Sequence, residues 1–415
     1  MTTTINNKNK KPNVPNLRFP EFEGEWSVTT LQKDCIVNPT NEKIADKFVY
    51  IDLESVTQGQ LNKQQVLVKE EAPSRAQRVL HTDDILFQCV RPYQKNNYIV
   101  KDTMSGIQWV ASTGYAQIRT QIDNPTFLYY VLNTSKYNKA VMVRCTGSSY
   151  PAINSEDLSK IPFYKCGIAE QKKIGKFLSL LDERIATQNK IIEDLKKLKS
   201  AIIEKVYCSP KQEEPELRLY GFRGSLSTYT MSDFCMRMTT KNTSNQCSLV
   251  LTIAAQYGLV DQESFFNKSV ASENLSGYYL LSKGDFAYNR SYSAGYAWGA
   301  VKRLNDYEEG VLSTLYICFK IDEAIVDSDY ISYYFESTKW YRGLSEIAGE
   351  GARNHGLLNI SMTDYFNTKH RFPLIEEQKA IAKMLNAITE KERKATLLRE
   401  CYQKQKQYLL RQMFI

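Results

Sequence analysis

The sequence contains the same ordered set of motifs twice, and this internal repeat constrains the fold more than any other feature. An L-R-x-x-x-F-x-G segment opens each copy, a V-x-S-T-x-Y segment lies in its middle, and an I-x-E-Q-K-x-I segment follows near its end. The paired segments are 17–24 with 217–224, 110–115 with 311–316, and 168–174 with 375–381. A direct repeat of about two hundred residues requires both copies to fold alike, so the chain is predicted to run module, helix, module, helix.

Each copy ends in a long segment rich in Lys, Glu, Leu and Ile. Its apolar residues recur at alternating intervals of three and four, which is typical of a coiled coil. The predicted seam comprises Ile174, Leu178, Leu181, Ile185, Ile192, Leu195 and Ile202 in the first helix, and Ile381, Leu385, Ile388, Leu398 and Leu409 in the second. The adjacent Leu397 and Leu398 indicate a local shift of register. At 1.5 Å per residue the first helix would form a rod of roughly 60 Å.

The two helices are predicted to pair with each other, because they match in length and short seams of this quality are marginal alone. Antiparallel pairing would put one module at each end, with the rod as a ruler between them. A solvated surface helix and a homodimer zipper are alternative interpretations of the same pattern.

These segments predict an α+β fold in which two mixed α/β modules are separated by two long antiparallel coiled-coil helices. The predicted parts are a disordered tail (1–14), a first module (15–165), a central helix (166–208), a second module (209–372) and a C-terminal helix (373–415). Strand-like runs are 48–51, 84–87, 116–119, 249–253 and 315–319, and helical runs are 125–138 and 328–343.

The composition permits nucleic-acid binding without requiring it. The formal charge is +8, from 54 Lys and Arg against 46 Asp and Glu, and there are 27 Tyr. Nine scattered cysteines with no C-x-x-C pair indicate reduced thiols in a cytoplasmic protein without a metal site. No apolar run approaches the length of a membrane span, so no membrane contact is predicted.

The sequence contains only weak matches to known catalytic motifs. Asn-Pro-Thr-Phe at 124–127 resembles the catalytic tetrapeptide of adenine methyltransferases without its second Pro, and Glu-Gln-Lys at 170–172 and 377–379 fits the E-x-K tail of some nucleases. Neither a phosphate loop nor a glycine-rich cofactor loop accompanies them. A diverged free-standing methyltransferase or nuclease is the rival hypothesis from the enzyme class, and a coiled-coil adaptor that binds peptide or glycan is a third.

Matching places in the two modules carry cationic and aromatic side chains in predicted loops. Arg pairs with guanine and Asn or Gln with adenine through two hydrogen bonds, so such loops are suited to reading base edges in the major groove. The candidate DNA-binding residues are Arg75, Arg78, Arg91, Tyr93, Lys95, Arg144, Ser148, Ser149 and Tyr150 in the first module, and Arg237, Lys241, Arg290, Tyr292, Ser293, Tyr296, Arg353, Asn354 and His355 in the second. An arginine that pairs within its own module is the alternative interpretation.

The repeated unit, together with Ala-Gln-Tyr-Gly-Leu-Val-Asp-Gln-Glu at 255–263, resembles the DNA-specificity (S) subunit of type I restriction-modification systems. The resemblance covers almost the whole chain. It implies two target-recognition domains, each of which reads one half of a bipartite asymmetric site on double-stranded DNA. This sequence departs from the family pattern mainly at 219–221 and in its weaker C-terminal seam.

The resemblance also implies a role without catalysis. The two helices would set the gap between half-sites and bind methylation (M) subunits, and restriction (R) subunits would join through the assembled complex. S-adenosylmethionine, ATP and magnesium would then be bound by partner subunits, and no cofactor by this chain.

Overall fold

The two copies of the sequence repeat fold into two units of mixed helix and sheet. The computed structural model describes residues 13–101, 106–268, 274–347, 353, 354 and 357–415, with the side chains of 353, 354 and 357 left aside. Unit 1 comprises Met1–Asn189 with Leu397–Ile415, and unit 2 comprises Lys190–Thr396. The predicted disordered tail lies, up to residue 12, outside the described residues. Within the described part of the chain, no helix is long and apolar enough to cross a membrane.

Unit 1 contains three sheets and four short helices among its described residues. The strands are β1 (Ser27–Thr30), β2 (Cys35–Val37), β3 (Lys47–Ile51), β4 (Val56–Thr57), β5 (Gln60–Leu61), β6 (Gln65–Val68), β7 (Ala76–Leu80), β8 (Ile85–Gln88), β9 (Tyr98–Ile99), β10 (Gln108–Ser112), β11 (Tyr115–Thr120) and β12 (Pro162–Lys165). The helices are α1 (Leu31–Asp34), α2 (Pro125–Asn133), α3 (Ser135–Met142), α4 (Ser155–Ser159) and the first part of α5 (Ile168–Val206). The sheet orders are β2-β11-β8-β9, β6-β3-β10-β7 and β1-β12, besides the small hairpin β4-β5.

Unit 2 repeats part of this plan. Its strands are β13 (Ser227–Thr230), β14 (Cys235–Arg237), β15 (Leu251–Ala254), β16 (Gly258–Asp261), β17 (Tyr279–Ser282), β18 (Phe286–Asn289), β19 (Ala300–Arg303), β20 (Glu309–Leu312), β21 (Ile317–Ile321), β22 (Arg353–Asn354), β23 (Leu357–Leu358) and β24 (Lys369–Phe372). Its helices are α6 (Met231–Phe234), α7 (Gln262–Phe266), α8 (Ser328–Tyr334), α9 (Tyr341–Ile347), α10 (Met362–Phe366) and most of α11 (Ile375–Gln412). Sheet β14-β21-β18-β19 corresponds to β2-β11-β8-β9, and β13-β24 corresponds to β1-β12.

The five strand-like runs of the sequence are strands β3, β8, β11, β15 and β21, which confirms that prediction within about two residues at each end. Both predicted helical runs contain helix, but each is divided between two helices. In the first, Thr134 ends α2 and caps α3, because its hydroxyl donates to the Val131 carbonyl at 2.8 Å and accepts from the Tyr137 amide. In the second, α8 ends at Tyr334, whose carbonyl accepts from the Ser337 hydroxyl at 2.6 Å.

The long helices run antiparallel within each unit. In unit 1, Asp182 of α5 pairs with Lys406 of α11 at 2.5 Å, and Arg184 further along α5 lies over the ring of Tyr402, which comes earlier in α11. In unit 2, Lys199 pairs with Glu392 at 2.7 Å, and the buried side chains of α5 and α11 there share one apolar core. These side chains are Ile203, Val206, Ile381, Ala382 and Leu385.

The seam residues are buried to different degrees. Those buried are Ile174, Leu178, Leu181, Ile185, Ile192, Ile381, Leu385 and Leu409, and those half-buried are Leu195, Ile202 and Ile388. Leu398 lies outside the seam, because the irregularity at Leu397–Leu398 leaves the two leucines 47% and 43% exposed, whereas Ala395 is buried. Ile203 and Met413, which the heptad spacing does not select, are buried too.

The L-R and E-Q-K motifs of the repeat form an ion pair in each unit. Arg18 donates two hydrogen bonds of 2.8 Å to the carboxylate of Glu170 at the start of α5. Arg218 donates two of 3.0 and 2.8 Å to Glu377 at the start of α11. Both carboxylates are almost fully buried. The hydrogen bond with Glu170 raises the pKa of Arg18. We call these two pairs the clamps.

The glutamine of each E-Q-K motif ties its helix to the module. The side-chain oxygen of Gln171 accepts from the Asn124 amide at 2.8 Å, and its nitrogen donates to the Cys166 carbonyl. Gln378 accepts from the Asp327 amide at 2.9 Å and donates to the Pro373 carbonyl. The repeated motifs therefore hold a long helix against each module.

Candidate nucleic-acid interface

Two loops that the sequence singled out meet in unit 1. After β8, the Arg91 amide donates to the Pro151 carbonyl at 2.7 Å, and Val90 forms a β-bridge with Ala152. This backbone pairing places the guanidinium of Arg91 over the ring of Tyr150, 4.4 Å from its centroid. Stacking on an aromatic face fixes the plane of a guanidinium and leaves its edge free to donate.

The loop that carries Arg91 is strained and held in place. Arg91 and Lys95 have left-handed backbones, with φ of 54° each, on either side of the 3-10 turn Pro92–Gln94. Such a conformation costs a residue with a side chain about 1 kcal/mol or more, and strain of this kind clusters at functional sites. The buried side chain of Gln88 supports the loop, since it donates to Gln94 at 2.8 Å and accepts from the Asn96 amide at 3.1 Å.

Arg91 and Tyr150 line an open depression of about 700 Å3 together with Arg75, Gln94 and Asn96. We call it the unit 1 depression. Arg75 is exposed and Arg91 half-buried, and Tyr150 is 64% exposed. The depression therefore joins two guanidinium groups, two amides and an aromatic ring, which are the side chains that recognise base edges and phosphates.

Other candidate residues of unit 1 bind their own module. Arg78 donates to the Tyr115 carbonyl at 2.9 Å, and burial lowers its pKa. Lys95 donates to the Asn133 carbonyl at 3.5 Å, and burial lowers its pKa too. Arg144, in the turn after α3, is exposed and donates to the Ala140 carbonyl of that helix. The side chains of Tyr93, Ser148 and Ser149 are exposed.

Arg91 and Arg290 do not occupy equivalent positions in the two units. Phe87 pairs with Ala116 in unit 1 as Tyr288 pairs with Ile317 in unit 2, so Arg290 occupies the place of Cys89 and Tyr292 that of Arg91. The guanidinium of Arg290 donates to the carbonyl oxygens of Ile360 and Leu315 at 3.1 and 3.4 Å. Tyr292 is 57% exposed.

Some of the remaining candidates of unit 2 are hydrogen-bonded within their own module, and others are exposed. Tyr296 donates to Glu336 at 3.0 Å, and burial raises its pKa. Lys241 donates to the Gly277 carbonyl at 2.8 Å and lies over the ring of Tyr279. Ser293 and Tyr296 are joined by a β-bridge, and Arg237 is exposed at the end of β14. Arg353 and Asn354 lie in β22, and His355 lies outside the described residues.

Sequence patterns did not point to every residue of the unit 1 depression. Gln94 and Asn96 belong to the Arg91 loop and could have been added to the candidates from their base-pairing chemistry. Thr57 and Glu54 also line the depression. They come from the region of β4, more than thirty residues earlier in the chain, and nothing in the sequence links them to Arg91.

The segments that suggested enzymes are parts of the frame. Asn124 caps α2, with its side chain accepting from the Phe127 amide at 2.9 Å. A Cβ atom at Gly175 would lie 2.9 Å from that side chain, so α5 covers the tetrapeptide closely. The glutamates of both E-Q-K motifs are engaged in the clamps. Among the described residues, no cluster of His, Cys, Asp and Glu could hold a metal ion.

Comparisons with known proteins agree with the resemblance. Residues 36–197 match the model of the type I restriction modification DNA specificity domain. The S subunit of a type I restriction-modification system from M. genitalium has 14% identity and a TM-score of 0.57, over 97% of this chain and 99% of that one. A chain from a study of complex assembly and conformational transition of the type I R-M system has 18% identity and a TM-score of 0.53, over 93% and 96%.

No curated protein matches the sequence. The two solved structures show that the α+β fold with its long helices extends over the whole chain. The type I restriction modification DNA specificity domain is thus matched in the first half of the chain, and the fold of the two solved structures extends along its length.

Proposed function

We propose that each unit reads one half of a bipartite asymmetric DNA site, and that the unit 1 depression is the base-reading surface of the first. The observation that carries this proposal is the stacking of Arg91 on Tyr150 at an open, amide-lined depression. In this arrangement Arg91 presents two donors in a fixed plane, as bidentate pairing with guanine O6 and N7 requires.

The second unit presents different chemistry at the matching place. Tyr292 takes the position of Arg91, and the guanidinium of Arg290 is turned back onto carbonyl groups of its own module. Two reading surfaces with different donors select different bases, so the site is expected to be non-palindromic.

The test is to express the chain with its methylation subunits in a host that lacks such a system and to sequence the methylated adenines. Arg91→Ala should relax the requirement at one base pair of one half-site, by about 1–3 kcal/mol of discrimination. Lys139→Ala, which removes an exposed cation of α3 outside the depression, serves as the matched control. An unchanged methylated sequence in Arg91→Ala would remove Arg91 from the reading surface.

We propose further that the long helices set the distance between half-sites and bind the methylation subunits. Ile191 and Leu198 lie one heptad apart on α5 and are 41% and 50% exposed. Apolar side chains exposed in register on a charged helix are typical of a protein interface. Leu198→Asp should abolish co-purification with a methylation subunit, whereas Lys190→Ala should not.

The chemistry of the system is then assigned to other subunits. Methylation with S-adenosylmethionine would belong to the methylation subunits, and ATP- and magnesium-dependent cleavage to the restriction subunits of a cytoplasmic complex. The engagement of the suggestive segments in helix caps and clamps supports this division of labour. Failure of the purified full chain to bind S-adenosylmethionine, with binding restored by the methylation subunit, is the expected result; binding by the chain alone would contradict it.

A further inference from the structure

A second opening in unit 1 lies where the module meets the long helices. It encloses about 620 Å3 and is lined by Lys95, Lys101, Asp182, Asn189, Gln403 and Lys406 among others. We call it the helix-side cleft. Thr57 and Gln94 line both this cleft and the unit 1 depression. The two openings therefore adjoin.

Asp182, a carboxylate that lines the cleft, is already paired with a cation of the protein. Asp182 accepts a hydrogen bond of 2.7 Å from the Tyr130 hydroxyl and forms an ion pair of 2.5 Å with Lys406. Lys406 also lies 5.5 Å from the centroid of the Tyr130 ring. Because Asp182 and Lys406 are paired with each other, neither charge is available to a bound ligand.

Two lysines of the cleft remain available. Among the described residues, neither Lys95 nor Lys101 has a carboxylate within ion-pair distance. Lys101 is exposed. Lys95 is half-buried beside the last turn of α2, and burial without an anion lowers its pKa. Glu183, which also lines the cleft, carries a negative charge that opposes the binding of an anion. A half-desolvated ammonium group without an anionic partner favours the approach of an anion.

Carboxamides are the most numerous of the other polar groups of the cleft. Gln58, Gln60, Asn189, Gln403 and Gln407 line it from the β4-β5 hairpin, α5 and α11. Amide and ammonium donors contact phosphate and sugar oxygens without carrying sequence information. The cleft thus differs from the depression, whose stacked arginine is fixed in one plane.

We propose that the helix-side cleft binds the sugar-phosphate backbone of the DNA next to the half-site read by unit 1, on the spacer side and without regard to base sequence. This inference rests on the proposed function of the depression. It gives the long helices a direct contact with DNA in addition to their roles in spacing and in binding methylation subunits.

The test measures the salt dependence of DNA binding by the full chain with its methylation subunits. The probe is a duplex that carries the site found by sequencing methylated adenines. Each phosphate contact contributes about 0.9 to the slope of log affinity against log salt concentration. Lys101→Gln should lower the slope by about that amount, which is roughly a threefold difference in affinity change between 50 and 200 mM salt. Gln403→Lys should raise it, and Lys33→Gln, an exposed lysine of α1 outside the cleft, should leave it unchanged.

A second duplex carries neutral methylphosphonates at the spacer phosphates that flank the half-site. On this duplex Lys101→Gln and the unsubstituted chain should have equal slopes. Equal slopes on the normal duplex would overturn the inference, and so would a changed methylated sequence in Lys101→Gln, since that indicates base contact. If the unsubstituted chain fails to prefer its site over a scrambled duplex, the proposed function fails first and the inference with it.

Discussion

Replacing Arg18 by Ala should destabilise unit 1 by about 3 kcal/mol. The substitution removes two hydrogen bonds of 2.8 Å from Glu170, whose side chain is only 3% exposed. A buried charge that loses its partner costs about 3–5 kcal/mol. The positive end of the α5 helix dipole offsets about 0.3–1 kcal/mol of this cost, because the Glu170 carboxylate lies in the first turn of the helix. The expected cost therefore lies near the lower end of the range.

Hydrogen exchange read by mass spectrometry is the suitable assay, because a chain of two units need not unfold in one step. Amides of α2 and β12 in unit 1 should exchange about a hundredfold faster in Arg18→Ala, as 3 kcal/mol implies. Amides of α8 and β24 in unit 2 should be unchanged. Arg218→Ala should give the reverse pattern, because Glu377 is buried to the same degree.

A double substitution separates the buried charge from the lost contacts. Glu170→Gln in the Arg18→Ala background replaces the unpaired carboxylate by a neutral amide and should recover much of the lost stability. A cost below 1 kcal/mol for Arg18→Ala, or no recovery in the double variant, would refute the interpretation of the clamps as structural. Glu170→Gln alone should leave DNA cleavage by the assembled complex intact, and loss of cleavage with normal stability and normal methylation would favour the nuclease hypothesis.

Further predictions concern unit 2 and the helices. Tyr292→Ala should relax the second half-site in methylated-adenine sequencing. Arg290→Met should leave that sequence unchanged, because the guanidinium of Arg290 donates to carbonyl groups of its own module instead of reaching a base. Deleting one heptad between residues 178 and 202 should change the accepted spacer length but neither half-site, which the same sequencing checks. Burial lowers the pKa of His370 to about 3, so below pH 6.5 the unfolded chain binds a proton that the folded one does not. Stability of unit 2 should therefore fall by up to about 1.4 kcal/mol per pH unit between 6.5 and 3, and less steeply in His370→Gln, as measured by hydrogen exchange against pH.

Patterns with a regular period could be predicted from the sequence. Both long helices begin and end within about three residues of the predicted bounds, because an uninterrupted periodic segment leaves little choice of structure. The breaks at Thr134 and Ser337 could not be predicted in this way, since a single hydroxyl competes locally with a continuing helix.

The candidate surface was predicted less completely than the fold. The sequence selected Arg91 and Tyr150 but could not show that they stack, because the contact depends on a β-bridge between Val90 and Ala152. It also selected Arg290, whose guanidinium donates to carbonyl groups of its own module. Spacing after a strand cannot distinguish a side chain that faces the loop from one that faces the module.

The strand frame explains why the two units can differ at their reading surfaces. Cys89 and Arg290 have the same backbone role, since their carbonyls accept from the amides of Ile153 and Leu358 at 3.0 Å. This pairing uses no side-chain atom, so a small thiol and a long cation can occupy the same place in two related modules. Arg91 and Tyr292 come two positions later, and their side chains take no part in this pairing. We therefore expect substitutions at Arg91 and Tyr292 to change the bases selected while the clamps and sheets keep their stability.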